Sequence, residues 1–292
     1  MRRRTLLTAL AVSPLLATRT YAATFSTALT YDDRGRPLAD VLINGAGPFP
    51  LVIDTAAGGT VLNAETIARL AIASTGTARV QGASGAVDAN LYSLDALEIA
   101  GLRRENLMAV QTPPDSVSAA AHAGVLGAGV FANARIEFDF GSNRLNIDTG
   151  ANRATLADAI NVEFRHRIFA LAPIRIAGAE ATAVIDTGAR ATVANACLRA
   201  SLGFSESDPR LREVEPIGGA TAHSTPTVAT EVAPIAFAGR DFGTLDLNFA
   251  ELSVFAAMQL SETPALILGM DVLRRAEALV LDYSSAQLAL RA

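Results

Sequence analysis

The sequence predicts an all-β protein made of two similar lobes, which are related by internal duplication and each contain one or two short helices. Three observations support this prediction. A block of sequence with Asp-Thr at its centre occurs at residues 51–63 and again at 183–195. A second block, in which apolar residues precede a glycine, follows each copy in the same order. The segments between the blocks have the alternation and short apolar runs of strands.

The first block has the same internal spacing in both copies. An apolar pair precedes Asp54 and Asp186, a Thr-Val pair begins six residues after each aspartate, and an asparagine follows. Because asparagine is a favoured N-cap, each block is expected to end at the start of a short helix. The predicted helices cover residues 64–71 and 196–202, capped by Asn63 and Asn195.

The second block predicts a turn of helix and then a strand. It covers residues 124–130 in the first copy and 265–273 in the second. The strands that follow, 134–140 and 276–283, both end in Asp-aromatic. Two blocks that occur twice in the same order indicate a duplicated unit of roughly half the chain.

Strands and hairpins are predicted between the blocks. Residues 39–44, 91–99, 174–176 and 228–237 have strand patterns. The glycine-rich segments 81–86 and 216–221 are interpreted as hairpin tips, one in each half. The predicted organisation is an export signal at 1–22, a first lobe at 23–150, a connection at 151–163 and a second lobe at 164–292.

The N-terminus has the pattern of an export signal. Three arginines at residues 2–4 precede an apolar run over 6–17, and small residues before Ala23 suit a cleavage site. The run is too short to span a bilayer comfortably. The arginines suit either a twin-arginine signal or the general secretory route. We therefore expect an exported protein, periplasmic or secreted, with no stable membrane span after signal removal.

The composition argues against several classes of function. Arginines are scattered along a chain of net charge −5, so no basic stripe for nucleic acid is expected. His122, His166 and His223 are far apart and lack the spacing of metal ligands, which predicts neither metal nor cofactor. Cys197 is the single cysteine and is expected to be a buried small side chain rather than a nucleophile.

A third string of Asp-Thr and a small residue, Asp-Thr-Gly at Asp148, does not fit the repeat. The threonine that should follow six residues later comes one residue late, at Thr155. The nearest downstream glycine block ends 121 residues after Asp148, compared with 73 after Asp54 and 83 after Asp186. We therefore assign Asp148 to the connection between the lobes.

The residues around Asp54 and Asp186 resemble the active-site loop of the retropepsin-like aspartic proteases. The segments ending in Gly127 and Gly269 resemble that family's apolar-apolar-Gly element, so the resemblance covers nearly the whole chain after residue 22. It implies a single-chain, two-lobe form that is monomeric and acts on peptides or proteins. It also implies that Asp54 and Asp186 form the catalytic pair of an endopeptidase.

The resemblance assigns supporting roles to further residues. Two adjacent carboxyl groups cannot both ionise, so the pair would share a proton and activate a water molecule. Thr55 and Thr187 would lock the two loops by bonding to the opposite backbone. Both hairpin tips would be flaps over an extended peptide, and their candidate substrate-binding residues are Gly82, Ser84, Gly85, Gly218 and Gly219.

The first loop differs from the family pattern at Ala56, where Gly188 stands in the second loop. A positive φ at Ala56 would be strained, and a methyl group directed at the opposite loop would separate the carboxyls. An alternative to the protease is therefore a weakly active or inactive peptide-binding protein of the cell envelope that uses the same cleft. A role in envelope-protein assembly is a third hypothesis.

Overall fold

The computed structural model describes residues 23–111, 122–151, 153–219, 221 and 223–291. Over these residues the chain is mostly β, with four short α-helices and one turn of 3-10 helix, so the predicted fold class is confirmed. The predicted export signal, residues 1–22, lies outside the described residues.

The first half contains eleven strands and one α-helix among the described residues. In chain order its elements are β1 (Thr24–Ala28), β2 (Thr30–Tyr31), β3 (Pro37–Ile43), β4 (Ala46–Asp54), β5 (Thr60–Leu62), α1 (Ala64–Leu70), β6 (Ser74–Gln81), β7 (Ala86–Ile99), β8 (Leu102–Gln111), β9 (Gly124–Gly127), the 3-10 helix Ala128–Phe131, β10 (Arg135–Asp139) and β11 (Arg144–Asp148).

The second half repeats this arrangement after the connection. Its elements are β12 (Ile160–Asn161), β13 (Glu163–Arg165), β14 (Phe169–Ile176), β15 (Ala179–Ile185), β16 (Val193–Ala194), α2 (Ala196–Ser201), β17 (Arg212–Gly218), β18 (Ser224–Val232), β19 (Ile235–Phe237), β20 (Arg240–Asp241), β21 (Leu245–Phe249), α3 (Ser253–Ala257), β22 (Ala265–Leu268), α4 (Met270–Leu273), β23 (Ala278–Asp282) and β24 (Gln287–Arg291).

The duplication is present in the topology of the two large sheets. The first contains the order β3-β4-β9-β5-β8-β7-β6, and the second contains the order β14-β15-β22-β16-β21-β18-β17. The directions also agree: β4–β9 and β15–β22 are parallel, whereas β5–β9 and β16–β22 are antiparallel. Each half therefore builds the same sheet from the same sequence blocks.

A third sheet contains strands from both halves. Its order is β1-β11-β10-β23-β24-β12, with the antiparallel β10–β23 pair at its centre. Phe138 lies opposite Leu279 and Ile136 opposite Leu281, and all four side chains are fully buried. Both central strands were predicted, but their pairing was not, and β12 lies in the segment predicted as a connection.

Both predicted helix N-caps are confirmed. Asn63 Oδ1 accepts a hydrogen bond from Thr66 N at 2.8 Å, and Asn195 Oδ1 accepts one from Leu198 N at 2.9 Å. These bonds satisfy backbone N–H groups that have no partner inside the helix. Each helix ends one residue earlier than predicted, because the last residue of the predicted range is the C-cap.

Both glycine-rich segments form hairpin tips, as predicted. Strands β6 and β7 pair antiparallel around residues 82–85, and β17 and β18 pair antiparallel up to Gly218 opposite Ser224. The predicted continuous strand 228–237 is wrong, because β18 ends at Val232 and β19 begins at Ile235. Pro234 lies in this break, where the absence of an N–H group prevents a ladder hydrogen bond.

Candidate active site

Asp54 and Asp186 occupy equivalent positions at or just after the ends of two equivalent strands. Asp54 is the last residue of β4, next to Gly127 of β9. Asp186 directly follows β15 and donates its backbone N–H to Leu268 O of β22 at 3.1 Å. The apolar residues before each aspartate are buried, so the strands place both side chains where the chain leaves the core.

The glycine of each second block makes room for the loop that carries the aspartate. A Cβ atom at Gly127 would lie 2.5 Å from Gly59 O and 2.6 Å from Ala57 O. At Gly269 it would lie 2.7 Å from the backbone of Ala191. Any larger residue would push these loops away, which explains why the two blocks occur together.

Thr55 and Thr187 join the two loops through reciprocal hydrogen bonds. Thr55 Oγ1 donates to Ile185 O at 2.7 Å, and Thr187 Oγ1 donates to Ile53 O at 2.6 Å. Each hydroxyl also accepts the backbone N–H of the other threonine, at 3.1 and 3.2 Å. Both threonines are almost fully buried. These four bonds fix the loops against each other.

The two carboxyl groups lie close enough for a hydrogen bond between them. Asp54 Oδ1 also accepts the N–H of Ala56 at 2.8 Å. Asp186 Oδ1 accepts the N–H groups of Gly188 at 2.8 Å and Ala189 at 3.0 Å. Both side chains are half-buried, so the pair is accessible yet oriented by the backbone.

The surroundings of the two carboxyl groups differ in charge. Burial raises the pKa of Asp54, while hydrogen bonds from Ala56 N–H and Asp186 and the positive charge of Arg36 lower it. Burial and the negative charge of Asp54 raise the pKa of Asp186 well above its ordinary value. The two carboxyl groups therefore share one proton, and their titration belongs to the pair as a whole.

Gly188 is required by the position of Asp54, whereas Ala56 is accommodated. A Cβ atom at Gly188 would lie 2.2 Å from Asp54 Oδ2. The φ of Ala56 is not positive, so its backbone is unstrained. Its methyl group packs against an apolar cluster of the second half that includes Leu171. The departure at Ala56 thus leaves the carboxyl groups in contact.

The two hairpin tips contact each other. Ser84 Oγ donates to Ile217 O at 2.8 Å, and Gly219 lies against Ala83. The tips are packed so tightly that a Cβ atom at Gly82 or Gly85 would lie 2.7 Å from a side chain of the second hairpin. Gly218, the last residue of β17, pairs with Ser224.

The tip of the first hairpin also contacts α3 in the second half. Ala83 O accepts the backbone N–H of Val254 at 3.2 Å and the hydroxyl of Ser253 at 3.1 Å. Gln81 Nε2 donates to the same hydroxyl at 2.8 Å. The hairpin thus bridges the two halves of the molecule.

Asp148 and Cys197 do not join the carboxyl pair. Asp148 is the last residue of β11, opposite Thr24 and Arg135, so its assignment to the connection is corrected: the residue completes a strand of the third sheet. Cys197 is half-buried rather than buried, because its position on α2 leaves one side accessible. Its thiol donates to Ser261 O at 3.1 Å.

Sequence reasoning missed three side chains near the site. Arg36 and Tyr283 both interact electrostatically with Asp54. No motif marks Arg36, whereas Tyr283 is the aromatic residue that ends the strand after the second block. Asp271 accepts hydrogen bonds from the N–H and the hydroxyl of Thr192, at 2.9 and 2.7 Å. Thr192 belongs to the first block, where it lies six residues after Asp186, as Thr60 does after Asp54. This repeated spacing was a signal in the sequence that the threonine has a structural role.

The described residues contain no group of three or more histidine, cysteine, aspartate or glutamate side chains that could hold a metal ion. Among the described helices, none is long and apolar enough to cross a bilayer.

Comparison with known families identifies both halves of the chain. A family model described as aspartyl protease matches residues 39–130 and 172–272, which together exceed half of the chain. A search of curated proteins found no similar sequence. The two matched segments contain Asp54 with Gly127 and Asp186 with Gly269, the paired blocks of the duplicated unit.

Proposed function

This chain belongs to the aspartyl protease family, and we propose that it is an aspartic endopeptidase in which Asp54 and Asp186 are the catalytic pair. The observation that carries the proposal is the contact between two half-buried carboxyl groups, supplied by equivalent loops that are held together by reciprocal threonine hydrogen bonds. Such a pair holds a general base and a general acid side by side.

The proposed reaction needs one proton on the pair. The ionised carboxylate removes a proton from a water molecule as the water oxygen attacks the carbonyl carbon of the peptide bond. The protonated carboxyl transfers its proton to the carbonyl oxygen, which becomes a hydroxyl of the tetrahedral intermediate. The carboxyl that took the proton from water then passes it to the leaving nitrogen as the C–N bond breaks, and a hydroxyl of the intermediate returns one proton to the pair as the new carboxylic acid forms. No covalent bond to the enzyme forms.

The surrounding structure supports these roles. The threonine hydrogen bonds hold the two loops together, and backbone N–H groups of residues 56, 188 and 189 orient the carboxyl oxygens. Held groups lose little freedom when the reaction begins. The hairpin tips, including Gly82, Ser84, Gly85, Gly218 and Gly219, would cover an extended peptide and offer it backbone hydrogen bonds.

Three matched Asp→Asn variants test the proposal. Peptide cleavage would be measured from acidic to neutral pH for wild type, Asp54→Asn, Asp186→Asn and Asp148→Asn. We expect the first two variants to lose activity by about 10²–10⁴-fold or more, because each removes one member of the acid–base pair. Asp148→Asn makes the same change in an Asp-Thr-Gly string like that of Asp186 and should cleave like wild type.

Two results would contradict the assignment. Cleavage by Asp54→Asn and Asp186→Asn at the wild-type rate would exclude the carboxyl mechanism. Loss of cleavage in Asp148→Asn alone would move the site to the third string. Peptide binding without cleavage by the wild type would instead favour the peptide-binding alternative.

We also propose that the protein acts after export, in the periplasm or outside the cell. The support is the pattern of residues 1–22, with an arginine cluster followed by a short apolar run. Fractionation of cells that express the full chain tests this, and a wholly cytoplasmic protein of full length would exclude it. Replacing Arg3 and Arg4 with Lys distinguishes the two export routes, because only the twin-arginine route requires both arginines.

A further inference from the structure

Arg36 lies in a short turn before β3, where its side chain is held by two neighbours. Its Nε donates to Asp32 Oδ2 at 2.7 Å, and its Nη2 lies 3.0 Å from His122 Nε2. Asp32 Oδ1 also accepts the backbone N–H groups of Arg34 and Arg36. The side chains of Arg36 and Asp32 are only 12% and 1% exposed, so this ion pair is built into the fold.

The contact with Arg36 determines the protonation of His122. A guanidinium group can only donate hydrogen bonds, so His122 Nε2 must accept and the ring is neutral. Burial and the charge of Arg36 also lower the pKa of His122. The cluster therefore contains one cation, Arg36, one anion, Asp32, and a neutral imidazole.

The strand register brings Arg36 toward the carboxyl pair. Leu38 of β3 lies opposite Val52 of β4, and Arg36 and Asp54 are each two residues beyond this antiparallel pair, in the same direction along the sheet. In the second half, Leu171 of β14 lies opposite Val184 of β15, and Phe169 and Asp186 are each two residues beyond that pair. Arg36 thus holds the position in the first half that Phe169 holds in the second.

Two titratable side chains act on Asp54 from different elements of the described chain: Arg36 from the turn before β3 and Asp186 from the opposite loop. The charge of Asp54 in turn affects Tyr283, the residue after β23. Tyr283 is neutral, since burial and the negative charge of Asp54 raise the pKa of its hydroxyl. Arg36 is therefore the cation of this set.

We propose that Arg36 is a positioning residue of the active site, whose fixed guanidinium holds the negative charge of the carboxyl pair on the side of Asp54. This inference rests on the proposed function only where it concerns catalysis. If the pair is catalytic, Arg36 determines the pH below which the pair binds a second proton and no ionised carboxylate remains as the general base.

Titration of the aspartate carboxyl carbons by NMR tests the inference without any need for activity. Signals of the pair would be assigned from their loss in Asp54→Asn and Asp186→Asn. In Arg36→Gln we expect the lower macroscopic pKa of the pair to rise by about half to one pH unit, because a nearby positive charge that favours ionisation is gone. Arg36→Lys retains the charge and should shift less.

Two variants of the same turn serve as controls. Arg34→Gln removes a cation that acts on His122, and the lower pKa of the carboxyl pair should stay unchanged in this variant. Asp32→Asn keeps a hydrogen-bond acceptor but removes the anion beside Arg36, so it should move the lower pKa of the pair downward. This change of opposite sign keeps the test informative if Arg36→Gln does not fold.

Several outcomes would overturn the inference. The first is an unchanged lower pKa of the pair in folded Arg36→Gln. The second is a shift in that pKa as large in Arg34→Gln or in Arg36→Lys as in Arg36→Gln. The third is an upward shift of the same pKa in Asp32→Asn. The acid limb of the pH profile of kcat/KM should follow the NMR shifts. A wild type that shows the expected titrations but cleaves no peptide would refute the proposed function and leave the role of Arg36 intact.

Discussion

The two aspartate loops share a backbone framework but have different surroundings. Each loop leaves an equivalent strand, crosses a glycine of the second block and bonds to the other loop through its threonine. The symmetry ends at the surrounding side chains. Arg36, just before β3, acts on Asp54 through its positive charge, whereas Phe169 of β14 holds the matching position in the second half. Contact between the carboxyl groups is enough to make them share one proton, and the unequal surroundings act on that shared titration.

The attachment of the two loops to the second blocks also differs. In the second half, Asp271 accepts two hydrogen bonds from Thr192, and Gly269 N donates to the same threonine hydroxyl at 3.1 Å. Glycine stands at the corresponding position of the first half, residue 129, so no side chain can make this contact there. The second loop is therefore tied to its block more strongly than the first.

The largest effect is expected from Gly188→Ala. Its Cβ atom would overlap Asp54 Oδ2, so the carboxyl groups must separate. Displacement of about 1 Å within a catalytic site can cost about 100-fold in rate, and we expect at least this loss in peptide cleavage. Overpacking should also lower the free energy of unfolding by about 1–3 kcal/mol. Wild-type activity in this variant would contradict the tight approach of the two loops.

Thr55→Val and Thr187→Val should destabilise the protein equally. Each removes one hydroxyl that both donates and accepts across the two loops, leaving buried backbone groups without those partners. We expect a loss of about 2–3 kcal/mol in the free energy of unfolding for each variant. Denaturant unfolding measures this, with Thr→Ser at the same positions as the control that retains the hydroxyl. Clearly unequal losses would show that the framework is not symmetric.

Asp271→Ala should destabilise the second half. The substitution leaves the Thr192 N–H and hydroxyl without their acceptor, at an expected cost of about 1–2 kcal/mol in the free energy of unfolding. Asp271→Asn, which keeps one carbonyl oxygen as an acceptor for Thr192, is the control. Thermal unfolding of the two variants compares them, and an unchanged midpoint in Asp271→Ala would mean that this contact adds nothing to stability.

Asp186→Asn should stabilise the protein at neutral pH. Because the pKa of Asp186 is raised in the fold, its contribution to stability is present at acidic pH and is lost as the pH rises through the raised pKa. The amide avoids this loss and can still accept the N–H groups of the loop. We expect a gain on the order of 2–4 °C in Tm at pH 7 that disappears below about pH 4. A gain that does not depend on pH would show a different cause.

Ala56→Gly should have the smallest effect. The methyl group is accommodated without a positive φ, and its removal adds backbone freedom to the unfolded chain. We expect a loss below about 1 kcal/mol in the free energy of unfolding and cleavage close to that of wild type. A large gain in activity would show that the methyl group holds the pair away from its best geometry.

The backbone plan could be predicted from the sequence because local patterns encode it. Asn63 and Asn195 cap the predicted helices, and the glycine-rich segments form the predicted hairpin tips. Repetition of the two blocks distinguished Asp54 and Asp186 from Asp148, which the structure places at the end of β11. These features depend on residues that are near one another in sequence, or on a pattern that occurs twice.

Contacts between residues that are distant in sequence could not be predicted. The β10–β23 pair at the centre of the third sheet joins two strands whose patterns are equally compatible with other partners. The Asp32–Arg36–His122 cluster likewise forms only when β3, β4 and β9 lie side by side. None of these residues stands in a motif.

The sequence by itself determined the duplicated plan, the helix caps, the hairpins and the equivalence of Asp54 and Asp186, since each follows from short-range spacing or from repetition. The tertiary structure alone decided how the two copies differ. It brought the positive charge of a buried arginine to act on Asp54, and it showed that Ala56 fits while Gly188 has no room for a side chain. The physical reason is that proton affinity and steric clearance depend on every atom nearby in space, whatever its distance along the chain.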